Sequence, residues 1–284
     1  MTRKRISLIV GNYNNAPYLK SFLDSVLNSS ILPDECIIID DGSTDQSLEI
    51  LQSYAHLPFL RIVSFSENKG FTAALNEALD LATGHYIARA DPDDLMNSER
   101  LKLQLEFMEA HPEVDALGSN AHYFLDNPDQ LINRTNFPSS HEAILQMFQK
   151  GENALLHATA FVKAEVYQKY RYQSIFPGED YELFGRMIRD GHRFHNLDLS
   201  LYLIRVHSSS STTQLKFSQI AQTFAFRDEI FGTRTSTFEK RRYFLHLNYY
   251  RRYQLQFKSP TKYFWLLLSA LLYPSKVVKR VLSR

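Results

Sequence analysis

The sequence predicts an α/β fold: a doubly wound, mostly parallel sheet flanked by helices, with a helical appendage at the C-terminal end. Three observations predict it. Short apolar runs alternate with helically spaced segments through the first half of the 284 residues, which is the pattern of βαβ units. Acidic clusters stand where apolar runs end, and sheets of this kind bind ligands beyond the carboxyl ends of their strands. A polar tract, Ser208–Thr213, then separates this part from a basic, aromatic remainder.

Taken in order, Ile6–Val10, Cys36–Asp40, Leu60–Ser64 and His85–Ala90 read as buried strands. Tyr18–Asn28, Asp45–Tyr54 and Phe71–Ala82 between them carry helical spacing. Thr83-Gly84 reads as a helix stop. A helix follows over Ser98–His111, with Ser98 as N-cap and Leu101, Leu105 and Met108 as its apolar stripe. Short strands are expected at Val114–Leu117 and Ala121–Leu125, with a turn at Asn127-Pro128-Asp129. Glu142–Gln149 reads as a helix, Leu155–Val162 as a strand, Asp180–Arg189 as a helix closed by Asp190-Gly191, and Leu199–Val206 as a final strand. The Ser208–Thr213 tract reads as a loop or lid, and the domain boundary is drawn there: an α/β part over 1–210 and a helical, basic and aromatic part over 211–284.

An apolar fraction of 44% and 13% aromatics suffice for one large core, and the formal net charge of +1 gives no global field that selects nucleic acid. The single cysteine, Cys36, excludes an internal disulfide and a cysteine-based zinc site; in an apolar run it reads as a buried packing residue. Met1–Arg5 followed by Ile6–Val10 is too short for a secretory apolar region. No stretch reaches the ~20 apolar residues of a spanning helix, and Tyr263 to Tyr273 comes nearest. A cytoplasmic protein is expected.

The motifs carry the chemistry. Asp91 and Asp93 flank Pro92, which favours extended backbone, so the two carboxylates point the same way and make a partial shell for Mg²⁺ or Mn²⁺. A diphosphate can complete that shell. The plain alternative is an Asx-rich turn capping the next helix. Asp41, in Asp40-Asp41-Gly42-Ser43-Thr44-Asp45, can accept hydrogen bonds from a base or ribose, or can simply shape a strand-to-helix turn. In Gly11-Asn12-Tyr13-Asn14-Asn15, Gly11 lets a ligand approach the backbone and Tyr13 can stack on a base. Lys69 in Asn68-Lys69-Gly70-Phe71 opens a helix and can touch phosphate. Glu179 and Asp180 open another helix, where one can act as general base, although the helix dipole there lowers an acid's pKa and weakens a base. His157 reads as a satisfied, non-ligand histidine, while His207 stands where it can complete a metal or diphosphate shell.

Together these stretches resemble the family 2 glycosyltransferases of the GT-A (Rossmann-like) fold, mostly bacterial, over residues 5 to 210. The resemblance rests on Ser7–Asn14, Asp40–Asp45, Asn68-Lys69-Gly70 with Ala74-Leu75-Asn76, Ile87–Asp94 through Ser98–Leu101, His111–Asp115, Gly178–Leu183 and Arg205-x-His207, in that order. It implies inverting transfer from a nucleotide-diphosphate sugar, commonly UDP-linked, with a divalent metal. It implies Asp41 and Tyr13 at the nucleotide base, Asp91 near ribose and metal, Asp93 as principal metal ligand, His207 at the diphosphate–metal site, Asp180 as general base and Glu179 close to the acceptor.

The chain departs from the family at Gly11, where many relatives carry Thr or Ser, and at Leu75, where many carry Arg. It has no Gln-x-x-Arg-Trp, which argues against processive polymer synthesis. Arg241, Arg242, Arg251 and Arg252 interleave with tyrosines, and an apolar block at 263–273 is followed by Lys276, Lys279, Arg280 and Arg284. Such helices can lie in a membrane interface, which suits a lipid-linked acceptor on the cytoplasmic face of the inner membrane; packing on the catalytic part or on a second subunit is the alternative. Two other functions share the fold: a sugar-nucleotide nucleotidyltransferase, which wants a Gly- and Arg-rich loop after the first strand, and a catalytically silent sugar- or lipid-binding scaffold.

Overall fold

The computed structural model describes residues 4–175, 177–207, 216–255 and 261–282. The chain divides into two compact units, Met1–His207 and Ser208–Arg284.

The first unit is built on one mixed sheet. Its N-terminal half alternates β1 (Ile6–Asn12), α1 (Ala16–Leu27), β2 (Glu35–Asp40), α2 (Ser47–Ser53), β3 (Leu60–Ser64), α3 (Phe71–Leu81) and β4 (Tyr86–Arg89). These strands lie parallel in the order β3-β2-β1-β4. Every residue of β1 is buried, as expected of a strand covered on both faces. Leu19, Phe22, Leu23 and Val26 of α1 pack on Leu8, Val10, Cys36 and Ile38 in the main core. Because β2 and β4 flank β1, the chain reverses its direction of winding at β1. The carboxyl ends of these strands therefore open a crevice, and Asn12, Asp40 and Arg89 stand at them.

Beyond β4 the pairing turns antiparallel. There β8 (Phe161–Lys163) pairs with β4 and β6 (Ala116–Phe124), β9 (Phe194–Arg205) runs parallel to β6, β5 (Leu95–Met96) closes the far edge on β9, and β7 (Leu131–Arg134) pairs with β6. The sheet is therefore all parallel in its first half and mixed in its second. The expected pair of strands at Val114–Leu117 and Ala121–Leu125 is one strand, β6. It continues through Gly118, where an added Cβ would lie 2.1 Å from Asn196 Oδ1. The expected strand over Leu155–Val162 is a 3₁₀ turn, His157–Thr159, followed by the short β8. Thr159 Oγ1 causes this, accepting from Ser119 N–H at 3.0 Å and donating to Leu156 C=O at 3.0 Å.

The helices of this half are α4 (Arg100–Ala110), α5 (His141–Gln149), α6 (Ala164–Lys169) and α7 (Glu179–Arg189). Ser98 does not cap α4. The side chain of Asn97 accepts the Glu99 N–H at 2.9 Å, while the Ser98 carbonyl is taken by Ser30 N–H. α3 stops at Leu81, just before Thr83-Gly84 as expected, and Gly84 serves packing as well. Its absent Cβ leaves room for Ser7, whose Oγ accepts the Gly84 N–H at 2.8 Å. The turn at Asn127 forms as expected, with Gln130 N–H donating to Asn127 C=O. Cys36 is fully buried.

The second unit is helical: α8 (Phe217–Phe231), α9 (Thr237–Leu255), α10 (Lys262–Leu272) and α11 (Pro274–Leu282). Ile220, Phe224 and Tyr243 form its small core with Phe244, Leu247 and Tyr273 around them. The Ser208–Thr213 tract, read as a loop or lid, lies outside the described residues.

Candidate active site

The crevice is shaped first by β2 and the loops beside it. Asp40 is buried and accepts from Asn12 Nδ2 (2.8 Å), Ser43 Oγ (2.6 Å) and Ser64 Oγ (3.3 Å), which locks the ends of β1, β2 and β3 together. Asp41, equally buried, accepts the Lys69 and Gly70 N–H groups at 2.7 and 2.9 Å. Its two oxygens thus hold the loop that opens α3, and Gly42 between the elements adopts φ 68° with the Glu67 carbonyl carbon 2.5 Å from where a Cβ would stand. Only glycine fits there on both counts. The Lys69 amide is engaged by Asp41, and its Nζ lies 4.3 Å from the Phe65 ring centroid. Tyr13 is exposed at the rim. Gly11 faces the helix instead of the crevice, since its Cβ would meet Phe71 at 3.4 Å and Ala74 at 3.6 Å.

The end of β4 carries the strongest charge pattern. Arg89 is almost wholly buried and pairs through both terminal nitrogens with both oxygens of Asp91. Its guanidinium also lies over the Phe71 ring, 5.3 Å from the centroid. The Asp91 N–H donates to Tyr202 Oη at 2.8 Å, tying the acidic loop to β9. Arg100 lies under this loop, fully buried, donating to the Arg89 carbonyl at 2.7 Å and to Gln104 at 3.0 Å. Burial draws its pKa down to about 10.

Asp93 does not share a partner with Asp91. Its Oδ2 lies 3.0 Å from His207 Nε2, and its carbonyl accepts from Arg205 Nε at 2.9 Å. His207 packs on the Tyr18 ring, with centroids 4.7 Å apart. Asp94 is buried and accepts the Arg205 N–H at 2.8 Å. Burial, with Asp93 and Asp91 adding to it, holds its carboxyl well above the usual range.

Glu179 and Asp180 approach from the N-terminus of α7. Asp180 accepts from Asn153 Nδ2 and, at 2.7 Å, from the Tyr181 N–H. Burial nevertheless raises its pKa against those hydrogen bonds and against Arg89. The helix dipole therefore does not dominate here. Glu179 is buried; desolvation, then the charge of Asp180, pushes it up to about 7. Its Oε2 has no hydrogen-bond partner among the described residues. Asp91 links the two sides: burial raises its pKa, Arg89 opposes this, and Asp93 and Asp180 both add to it. Carboxylates from β4 and α7 thus share one electrostatic environment. His157 lies behind them, its Nε2 2.7 Å from Tyr172 Oη, and burial followed by Arg89 keeps it neutral.

Among the described residues, no three His, Cys, Asp or Glu side chains are gathered as a metal cluster. Asp93 and His207 do fit a hard divalent cation as an adjacent oxygen–imidazole pair, because such ions keep several positions for water and phosphate. Asp91 is committed to Arg89. Sequence reasoning quoted Arg205 only as part of a motif and gave no role to Arg89, Asn153, Tyr202 or Arg205. A signal existed for Arg89: an arginine inside a buried strand needs a partner.

The profile of the family described as Glycosyl transferase family 2 matches residues 7–171. The chain is 32% identical to putative glycosyltransferase EpsE of Bacillus subtilis (strain 168), over 72% of this chain and 74% of that one. It is 32% identical to the amylovoran biosynthesis glycosyltransferase AmsE of Erwinia amylovora, over 71% and 76%. It is 28% identical, over 66% and 68%, to the UDP-Gal:alpha-D-GlcNAc-diphosphoundecaprenol beta-1,3-galactosyltransferase of Escherichia coli. Among solved structures, residues 1–349 of S. aureus TarS with UDP-GlcNAc match with a TM-score of 0.65 at 19% identity, over 96% of this chain and 82% of that one. The mannosyltransferase PcManGT of Pyrobaculum calidifontis with GDP-Man and Mn²⁺ matches with a TM-score of 0.62 at 18% identity, over 99% and 79%.

Proposed function

The chain belongs to glycosyl transferase family 2 and is a glycosyltransferase of the GT-A fold, and from that premise we propose an inverting, metal-dependent, non-processive transfer. The donor is a nucleoside diphosphate sugar of the UDP-linked kind, and the acceptor is a cell-surface glycan or a lipid-linked saccharide. The observation that carries this reading is the buried Arg89, paired with Asp91 and acting on Glu179 and Asp180, with the Asp93–His207 pair beside Asp91. The UDP-GlcNAc bound by TarS, the Mn²⁺ with GDP-Man in PcManGT and the diphosphoundecaprenol acceptor of the E. coli relative support it. We assign this chemistry to residues 1–210 and a separate helical role to 211–284.

In this mechanism Tyr13 stacks on the base at the rim, and Asp41 keeps the Lys69–Gly70 loop in place beside it. Lys69 and the backbone at Gly11 border the nucleotide. Asp91, fixed by Arg89, faces the ribose. Asp93 and His207 would hold Mg²⁺ or Mn²⁺, which would supply Lewis-acid stabilisation of the leaving diphosphate. Asp180 takes the proton of the acceptor hydroxyl, and its raised pKa makes it a stronger base than an exposed aspartate. Asn153 fixes one of its oxygens so that the other lone pairs can face the acceptor. Glu179 borders the acceptor beside it. Attack on the anomeric carbon opposite the diphosphate inverts that centre. A lipid-linked acceptor brings the reaction to the cytoplasmic face of a membrane.

A panel of nucleotide sugars with Mn²⁺, read out by release of nucleoside diphosphate, tests the proposal. One donor is expected to turn over, and Asp93→Ala to abolish the release. An Asp93→Ala protein that turns over at the wild-type rate sinks this reading.

A further inference from the structure

The near-zero net charge hides two opposite halves. Residues 1–207 carry 18 Lys and Arg against 28 Asp and Glu, whereas residues 208–284 carry 14 against 3. From Lys240 to Arg284 there are eleven cations and no acid at all. A block of this kind is an electrostatic address for an anionic surface.

The same unit presents an apolar face. On α10, Phe264, Leu267 and Leu271 recur at helical spacing and are exposed, Leu267 by 59% and Leu271 by 72%, with Tyr263 beside them. The opposite side of α10 is fixed. Ser269 is fully buried against α9, its Oγ 2.9 Å from His246 Nδ1 and donating to the His246 carbonyl at 3.1 Å. This polar pin sets the rotation of α10, so the leucines cannot turn inward without stranding a buried hydroxyl. Cations and aromatic rings edge the face: Lys262 Nζ lies 5.0 Å from the Tyr263 ring centroid, and the Arg252 guanidinium 4.5 Å from that of Trp265, which stacks on Tyr249. Among the described residues no helix is long and apolar enough to cross a membrane.

We propose that the α10 face inserts into the interface of a bilayer rich in anionic lipid, with Phe264, Leu267 and Leu271 among the acyl chains and the cations that edge the face, Arg252 and Lys262, on the headgroups. An apolar stripe bordered by rings and cations matches such an interface. Self-association through this unit is disfavoured, because it would bring two strongly cationic blocks together. The inference deepens the lipid-linked acceptor reading by naming the surface and the lipid charge.

Cosedimentation of the full chain with phosphatidylcholine vesicles, with and without phosphatidylglycerol, tests it. Binding is expected only with phosphatidylglycerol and to fall with added salt. The double variant Leu267→Glu/Leu271→Glu is expected to weaken binding by at least about tenfold while nucleoside diphosphate release from a soluble donor is unchanged. Asp93→Ala is expected to lose that release and still bind vesicles, so failure of the catalytic reading and failure of this one are separable. Equal binding by wild type and double variant overturns the proposal, as does no binding to anionic vesicles. A wild-type dimer that the double variant dissociates overturns it too, because the face is then a subunit interface.

Discussion

Arg89 and Asp91, two residues apart at the exit of β4, point the same way and join through both guanidinium nitrogens and both carboxylate oxygens. The alternation of an extended chain explains it. The same alternation suggested that Asp91 and Asp93 would converge on one ion, but Asp91 turns back to the buried arginine and Asp93 turns to His207. Arg89 is therefore the counter-charge around which the acidic crevice is assembled.

Arg89→Met leaves Asp91 without its buried partner. A loss of about 3–5 kcal/mol in unfolding free energy is expected, measured by urea denaturation. Adding Asp91→Asn to it is expected to recover part of that loss, and Arg89→Lys to be intermediate because one ammonium cannot make the two-pronged pair.

His207→Ala removes the imidazole beside Asp93 and leaves the carboxylate in place. The Mn²⁺ concentration for half-maximal nucleoside diphosphate release is expected to rise by about ten- to a hundredfold. Titrating the metal at saturating donor checks it, and an unchanged midpoint refutes the role.

Glu179 titrates near 7 in the folded chain against an ordinary 4.5. Because burial raises it, its contribution to stability is complete below the ordinary value and is lost as pH climbs through about 7. Glu179→Gln is thus expected to raise the melting temperature above about pH 8 and to leave it nearly unchanged near pH 4. Thermal melts across that range decide the matter.

Gly42→Ala forces a Cβ onto the Glu67 carbonyl in a left-handed backbone position. A cost of about 1–3 kcal/mol is expected, with weaker UDP binding because the loop held by Asp41 must shift. Calorimetric titration of UDP measures the second effect.

Burial pushes the Cys36 thiol up to about 12. It is expected to resist a disulfide reagent in the native protein and to react once urea unfolds the first unit.

The parallel half of the sheet was legible in the sequence because its strands are short apolar runs and their carboxyl ends lead into acidic clusters. The mixed half beyond β4 was not. β5 has two residues, too few for any periodicity, and β7 is an exposed edge strand. β6 crosses the small and polar residues Gly118, Ser119 and Asn120, which look like a break and are paid for only by distant partners in β9 and the loop at Thr159. The acidic residues announced themselves by their clusters. Their organisers did not, since Asn153 and Tyr202 meet Asp180 and Asp91 only through contacts 27 and 111 residues apart in the chain.

The switch from parallel to antiparallel pairing at β4 and β8 divides the molecule's work. On the proposed assignment, everything that reads the base and the ribose stands on the parallel side, while Asn153, Glu179 and Asp180 come from segments beyond it. Acceptor choice can then drift by changes in the later segments without disturbing donor recognition. A chimaera that borrows residues 114–190 from a relative should inherit that relative's acceptor and keep this chain's sugar nucleotide.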